Sequence, residues 1–143
     1  MRKEVLKEPI FAKEIAEIIK VSPSIEEMRE QLRDYHENDI AQSFEFLNRA
    51  ERNLLYSALD AKWMAEIIAY IDNPSEYIEE IGIDKLAEII NEMDADDAVD
   101  LWEDIDESVK VKLRPMIDDE TKTDIRLINS YDEDEIGSLI TTN

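Results

Sequence analysis

The 143-residue chain has no cysteine. Disulfides, thiolate nucleophiles, zinc–thiolate sites and iron–sulfur clusters are therefore excluded. A single histidine, His36, rules out a multi-histidine metal site within one chain. Glycine occurs only at 82 and 137, and proline at 9, 23, 74 and 115. There is no glycine-rich phosphate loop, no G-x-S-x-G and no H-E-x-x-H. No nucleophile–base–orienter set is visible, so the chain is not expected to be an enzyme. No run of about 18 apolar residues exists that could span a bilayer as a helix. The N-terminal MRKEVLKEP has no apolar segment of the kind a signal peptide needs. Positive charge is scarce as well. Against 37 Asp and Glu stand 16 Lys and Arg, a net charge of −21. Phosphate binding needs clustered cations, so nucleic acid and anionic membrane surfaces are disfavoured partners. Cations or a basic protein patch are favoured.

What remains is helical in composition. Ala, Leu, Ile, Glu and Lys dominate, and 43% of the residues are hydrophobic. That apolar content argues for a folded chain despite the charge. The length suggests one domain with one core.

An internal repeat organises the chain. Seven octets align: IAQSFEFL (40–47), RNLLYSAL (52–59), MAEIIAYI (64–71), PSEYIEEI (74–81), LAEIINEM (86–93), AVDLWEDI (98–105) and KVKLRPMI (110–117). Their starts are twelve residues apart, except for a ten-residue step from 64 to 74. A weaker eighth unit begins at Lys122. Octet position eight is always apolar, position four nearly always, with Ser43 the exception, and position five is mostly large. Residues spaced i, i+1 and i+4 share a helical face, so each octet reads as a two-turn amphipathic helix. The turns begin with Asn48, Asp60, Asp72, Gly82, Asp94, Asp106 and Asp118, mostly residues suited to capping exposed N–H groups. Pro74 falls at a helix start, where its missing N–H costs nothing. Pro115 falls inside an octet and predicts a kink or early break.

Two-turn helices are not stable alone and must stack. The expected fold is all-α, a short superhelix with a twelve-residue repeat. Two longer helices precede it and cap its open end. One covers roughly 10–20, with Phe11, Ile15, Ile18 and Ile19 on one face. The other covers roughly 25–36, with a capping-box pattern at Ser24 and Glu27 and a stripe of Met28, Leu32 and Tyr35. Residues 1–8 read as a loose tail.

The acidic segment DADDAVDLWEDIDE (94–107) is the densest candidate for chemistry. Aligned as an EF-hand from Asp94, it places Val99 where glycine is needed and Ile105 where glutamate is needed, so that motif is rejected. Asp96 and Asp100 are four apart and stand one above the other on a helix, with Asp97 read as the cap. Their repulsion would be relieved by a divalent cation with waters completing its shell, a magnesium-style site. The alternative is a solvated polar face with favourable helix electrostatics. Octet position three holds Glu66, Glu76, Glu88 and Asp100, an acidic stripe that equally serves solubility. His36 reads as a surface or cap residue. Trp102 reads as packing, and Trp63 as a turn residue that could mark a contact surface.

With these octets, D-D-A-V-D-L-W-E-D-I at 96–105 and the ending from Tyr131 to Thr142, the chain resembles the intracellular N-terminal domain of MgtE-type magnesium transporters. Family members carry Y-x-E-D-x-A-G-x-L-M-T as they pass into paired CBS domains; here Ile136 and Ile140 replace the alanine and methionine. The resemblance covers about residues 25–143. It implies a right-handed superhelix over 25–130, an N-terminal helical extension over 1–24, and a linker over 131–143 toward a CBS domain outside this chain. It also implies a cytosolic domain of an integral membrane protein that acts as a homodimer and passes Mg2+ into the cell. Mg2+ bound between this domain and the CBS and membrane domains would close the pore. Glu66, Asp96 and Asp100 match the family's ligand positions, and Asp97 matches an intervening acid. The alternative is a metal-independent helical scaffold for a protein partner, since the flagellar motor switch proteins have a similar helical-repeat architecture.

Overall fold

A computed structural model describes residues 10–134 of the chain, with side chains described for residues 10–126. The tail 1–8 and the whole ending from Tyr131 to Thr142 lie outside the described side chains. Among the described residues the chain is all-α, with no strand. The helices are α1 (Ile10–Val21), α2 (Ile25–Leu32), α3 (Glu37–Ser43), α4 (Arg49–Ala58), α5 (Ala61–Ile68), α6 (Ser75–Ile78), α7 (Ile83–Glu92), α8 (Ala95–Asp104), α9 (Glu107–Leu113) and α10 (Asp119–Asp134). One-turn 3-10 segments follow α3 at Phe44–Phe46 and α9 at Arg114–Met116.

The twelve-residue period sets the helix starts. They fall at 37, 49 and 61, and again at 83, 95, 107 and 119. Each of these seven helices begins three residues before its octet, so the weak eighth unit at Lys122 is the body of α10. The starts are held by side-chain caps. Asn48 accepts the Glu51 N–H at 2.8 Å, Asp60 the Trp63 N–H at 2.8 Å, and Asp118 the Thr121 N–H at 2.8 Å. Asp106 accepts the Ser108 N–H at 3.4 Å and its hydroxyl at 2.7 Å. Asp94 occupies the same cap position without a side-chain bond.

The chain divides into two compact units, residues 1–72 and 73–143, where length alone suggested one domain. The division falls at the ten-residue step. Asp72-Asn73-Pro74 turns the chain there, and the shortened repeat leaves room for only the four-residue α6. In the first unit α1 packs on α2, α3 and α4, and α3 packs on α5. Ile15, Ile19, Leu32, Ile40, Phe44, Leu55, Leu59, Met64 and Ile67 are buried in that unit. The odd member of the pattern, Ser43, is fully buried, and its hydroxyl donates to the Ile40 carbonyl at 2.6 Å, which satisfies it. In the second unit α8 packs on α7 and α10, and α7 packs on α9. Leu86, Ile89, Ile90, Leu101, Trp102, Leu113 and Ile117 are buried there.

Two expectations shift. The face of α1 rotates by one residue. Ala12, Ile15, Ala16 and Ile19 are buried, while Phe11 is 54% exposed and meets the edge of Tyr35 instead. The second helix stops at Leu32 rather than near 36, because Asp34 and Tyr35 donate to carbonyls three residues back and tighten the chain out of the helix. His36 then starts α3, its Nδ1 accepting the Asn38 N–H at 2.9 Å, a cap residue as the sequence suggested. Pro115 acts as anticipated: α9 ends at Leu113, since proline cannot donate to the carbonyl four residues back.

Candidate metal-binding face

The face of α8 follows from its apolar pattern. Ala98, Val99, Leu101 and Trp102 are buried. That orientation leaves Asp96, Asp100, Glu103 and Asp104 exposed and Asp97 half-buried. Asp96 and Asp100 are brought one above the other, with Cβ atoms about 5–6 Å apart by helical geometry. The expected cap role of Asp97 is corrected. Asp94 holds the cap position, with extended backbone at φ −65° and ψ 155°. Asp97 lies three residues further, inside the first turn, together with Asp96.

The electrostatics of this face are unusual for a helix. Asp96 and Asp97 in the first turn suit the positive end of the macrodipole. Glu103 and Asp104 do not, for they lie in the last turn, which has no basic residue. Asp97 shows the crowding directly. Its carboxyl is pushed above the ordinary aspartate range, first by burial and then by the charges of Asp94, Asp100 and Asp96. Sequence reasoning saw the Asp96–Asp100 pair but read Asp97 as the cap; its partial burial depends on packing that the spacing does not reveal.

Glu66 lies in the first unit, on α5. Met64, Ala65, Ile67 and Ile68 are buried, so Glu66 faces outward. It lines an open cleft of about 280 Å3 with Arg33, Glu37, Asp60, Lys62 and Trp63 among its neighbours. Asp60 is committed to capping α5. Trp63 belongs to the first turn of α5 rather than to a connecting turn, and the Arg33 guanidinium lies 5.4 Å from its ring centre. The other position-three acids, Glu76 and Glu88, are also exposed.

The donor set fits Mg2+ in kind but not in number. Exposed carboxylate oxygens are hard ligands, and one or two of them with water suit this ion. Among the described residues, no group of three His, Asp or Glu side chains is placed to hold a metal ion. By itself the α8 pair would offer a divalent cation two carboxylates.

An all-helical repeat whose polar faces are crowded with carboxylates defines an acidic helical-repeat domain. Residues 35–134 match the MgtE intracellular N domain, and the chain belongs to that family. The chain is also similar to a crystal structure of the soluble part of a magnesium transporter, with a TM-score of 0.71 and 27% sequence identity. That likeness covers 81% of this chain and 46% of the other, so the chain spans less than half the length of that protein. No curated protein sequence matches the chain. No helix among the described residues is long and apolar enough to cross a membrane.

Proposed function

We propose that the chain is the cytosolic, magnesium-sensing regulatory domain of a magnesium transporter. In this reading Glu66, Asp96 and Asp100 bind Mg2+ together with acidic groups of neighbouring CBS and membrane domains, and the bound ion favours the closed channel of a homodimer. Residues 25–130 form the repeat domain, a right-handed superhelix, and residues 131–143 lead toward the CBS domains. The observation that carries the reading is the crowded charge at the start of α8, where the Asp97 carboxyl is raised first by burial and then by the charges of Asp94, Asp100 and Asp96. Family membership and the likeness to the soluble part of a magnesium transporter support the choice of ion.

The mechanism is electrostatic. At low Mg2+ the acidic faces repel neighbouring acidic domains. At high Mg2+ the ion bridges them, and the closed state gains because it binds the ion better than the open one. Magnitude requires the partner donors. A half-shell with millimolar affinity corresponds to about 4 kcal/mol at standard state. With Mg2+ near that same concentration, it stabilises the closed state by only about 0.4 kcal/mol. A switch from mostly open to mostly closed needs about 5.5 kcal/mol. Completed shells, several of them acting together, supply the difference.

The test is Asp96→Asn/Asp100→Asn in the whole transporter, read as Mg2+-dependent closure. The expected outcome is that the channel stays open at internal Mg2+ that closes the wild type. Unchanged closure contradicts the reading and leaves a metal-independent scaffold.

A further inference from the structure

One cluster of the opposite sign stands apart from the acidic face. A cleft of about 390 Å3 in the second unit is lined by Trp102, Arg114, Ile117, Lys122, Ile125 and Arg126. Among the described residues the lining holds three cations and no carboxylate, in a chain whose acids outnumber its bases 37 to 16. Trp102, Ile117 and Ile125 are buried and form an apolar floor. Arg114 and Arg126 are exposed and Lys122 half-buried, so the cations form the rim.

Helix electrostatics favour Arg114, at the C-terminal end of α9, but not Lys122. Lys122 lies near the start of α10, beside the acidic first turn of Asp119 and Glu120, where the macrodipole disfavours a base. Among the described residues, Lys122 and Arg126 make no ion pair, and Arg114 makes one 3.5 Å contact with the exposed Glu107. Arg114 is also partly pre-positioned. Its guanidinium and the Lys110 ammonium each lie 5.8 Å from the centre of the Trp102 ring. Two guanidinium forks and an ammonium over an apolar floor match an oxyanion carried on a small apolar body. The volume is that of a small-molecule site.

We propose that this cleft binds a compact organic anion, with its phosphate or carboxylate group on Arg114, Lys122 and Arg126 and its apolar part against Trp102, Ile117 and Ile125. Compactness follows from charge. An extended acidic segment would run off the cleft onto the surface of a chain carrying −21 and be repelled, whereas a small anion engages the cations alone. The magnesium reading does not use these residues, so either can fail without the other.

Calorimetric titration of the full chain with phenyl phosphate tests the site, with inorganic phosphate, benzoate and phenol as parallel arms at constant ionic strength. Saturable phenyl phosphate binding is expected, at least about fivefold tighter than inorganic phosphate. Arg126→Gln should weaken it about tenfold, Arg126→Lys less, and Lys62→Gln, an exposed lysine of the first unit, not at all. Benzoate binding as tightly as phenyl phosphate would assign the site to carboxylates, and tighter phenyl phosphate would assign it to phosphate esters. Arg126 is exposed on α10, so its variants are expected to keep the wild-type circular dichroism. Absence of saturable binding, equal heats from wild type and Arg126→Gln, or phenol binding as well as either anion would overturn the proposal.

Discussion

Asp97 sits where a helix would ordinarily welcome a carboxylate, in the first turn of α8, yet its ionised form is disfavoured by burial and by three neighbouring aspartates. The sign of the consequence is fixed. A carboxyl raised in the folded state binds its proton more tightly there than in the unfolded chain. Its stabilising contribution is present below the ordinary pKa of 3.8 and is lost as pH rises through the raised value. Asp97→Asn should therefore raise the melting temperature at pH 7 in low salt, with the gain vanishing near pH 3. A lower melting temperature at pH 7 would contradict this account of the site. The Asp96–Asp100 pair was legible in the sequence because a spacing of four is a property of any helix. The burial of Asp97 was not, since it depends on what α8 packs against. The cationic cleft left a trace that was passed over: Lys110 and Arg114, and Lys122 and Arg126, are each four apart in a chain with few bases.

Elements are placed by their caps and stops more than by propensity. Asn48 and Glu51 form a reciprocal box. The Asn48 side chain accepts the Glu51 N–H, and the Glu51 carboxylate accepts the Asn48 N–H at 2.9 Å and the Lys20 ammonium at 3.1 Å. The backbone hydrogen bond first, and Lys20 second, hold the Glu51 carboxyl below its usual range. The contribution of this carboxylate is therefore present at neutral pH and lost as pH falls through its lowered value. Asn48→Ala should cost about 1 kcal/mol in denaturant unfolding; no measurable loss would mean that α4 is held by packing alone. The regular spacing of Asx residues made the helix starts readable to within a few residues. The end of α2 was not readable, because no proline or glycine marks it. The apolar run of α1 was read one position off, since Phe11 is large enough to suggest a core residue and small Ala12 and Ala16 take the buried face.

At the scale of the whole molecule, the sequence carried the all-α class and the period, and the family followed from the octets. The division at residue 72 was also written there, as the single ten-residue step, but a break in period reads as a boundary only when the packing on either side is known. The proposed Mg2+ ligands divide in the same way, with Glu66 in the first unit and Asp96 and Asp100 in the second. The central claim is that Mg2+ operates these acidic faces as a clamp against neighbouring domains. Its most direct test is a Mg2+ titration of the complete cytosolic region of the transporter. The radius of gyration is followed by small-angle scattering, with sodium at matched ionic strength and the Asp96→Asn/Asp100→Asn variant in parallel. The account predicts a Mg2+-specific compaction that the variant blunts. An equal compaction with matched sodium would reduce the effect to general screening and contradict the claim.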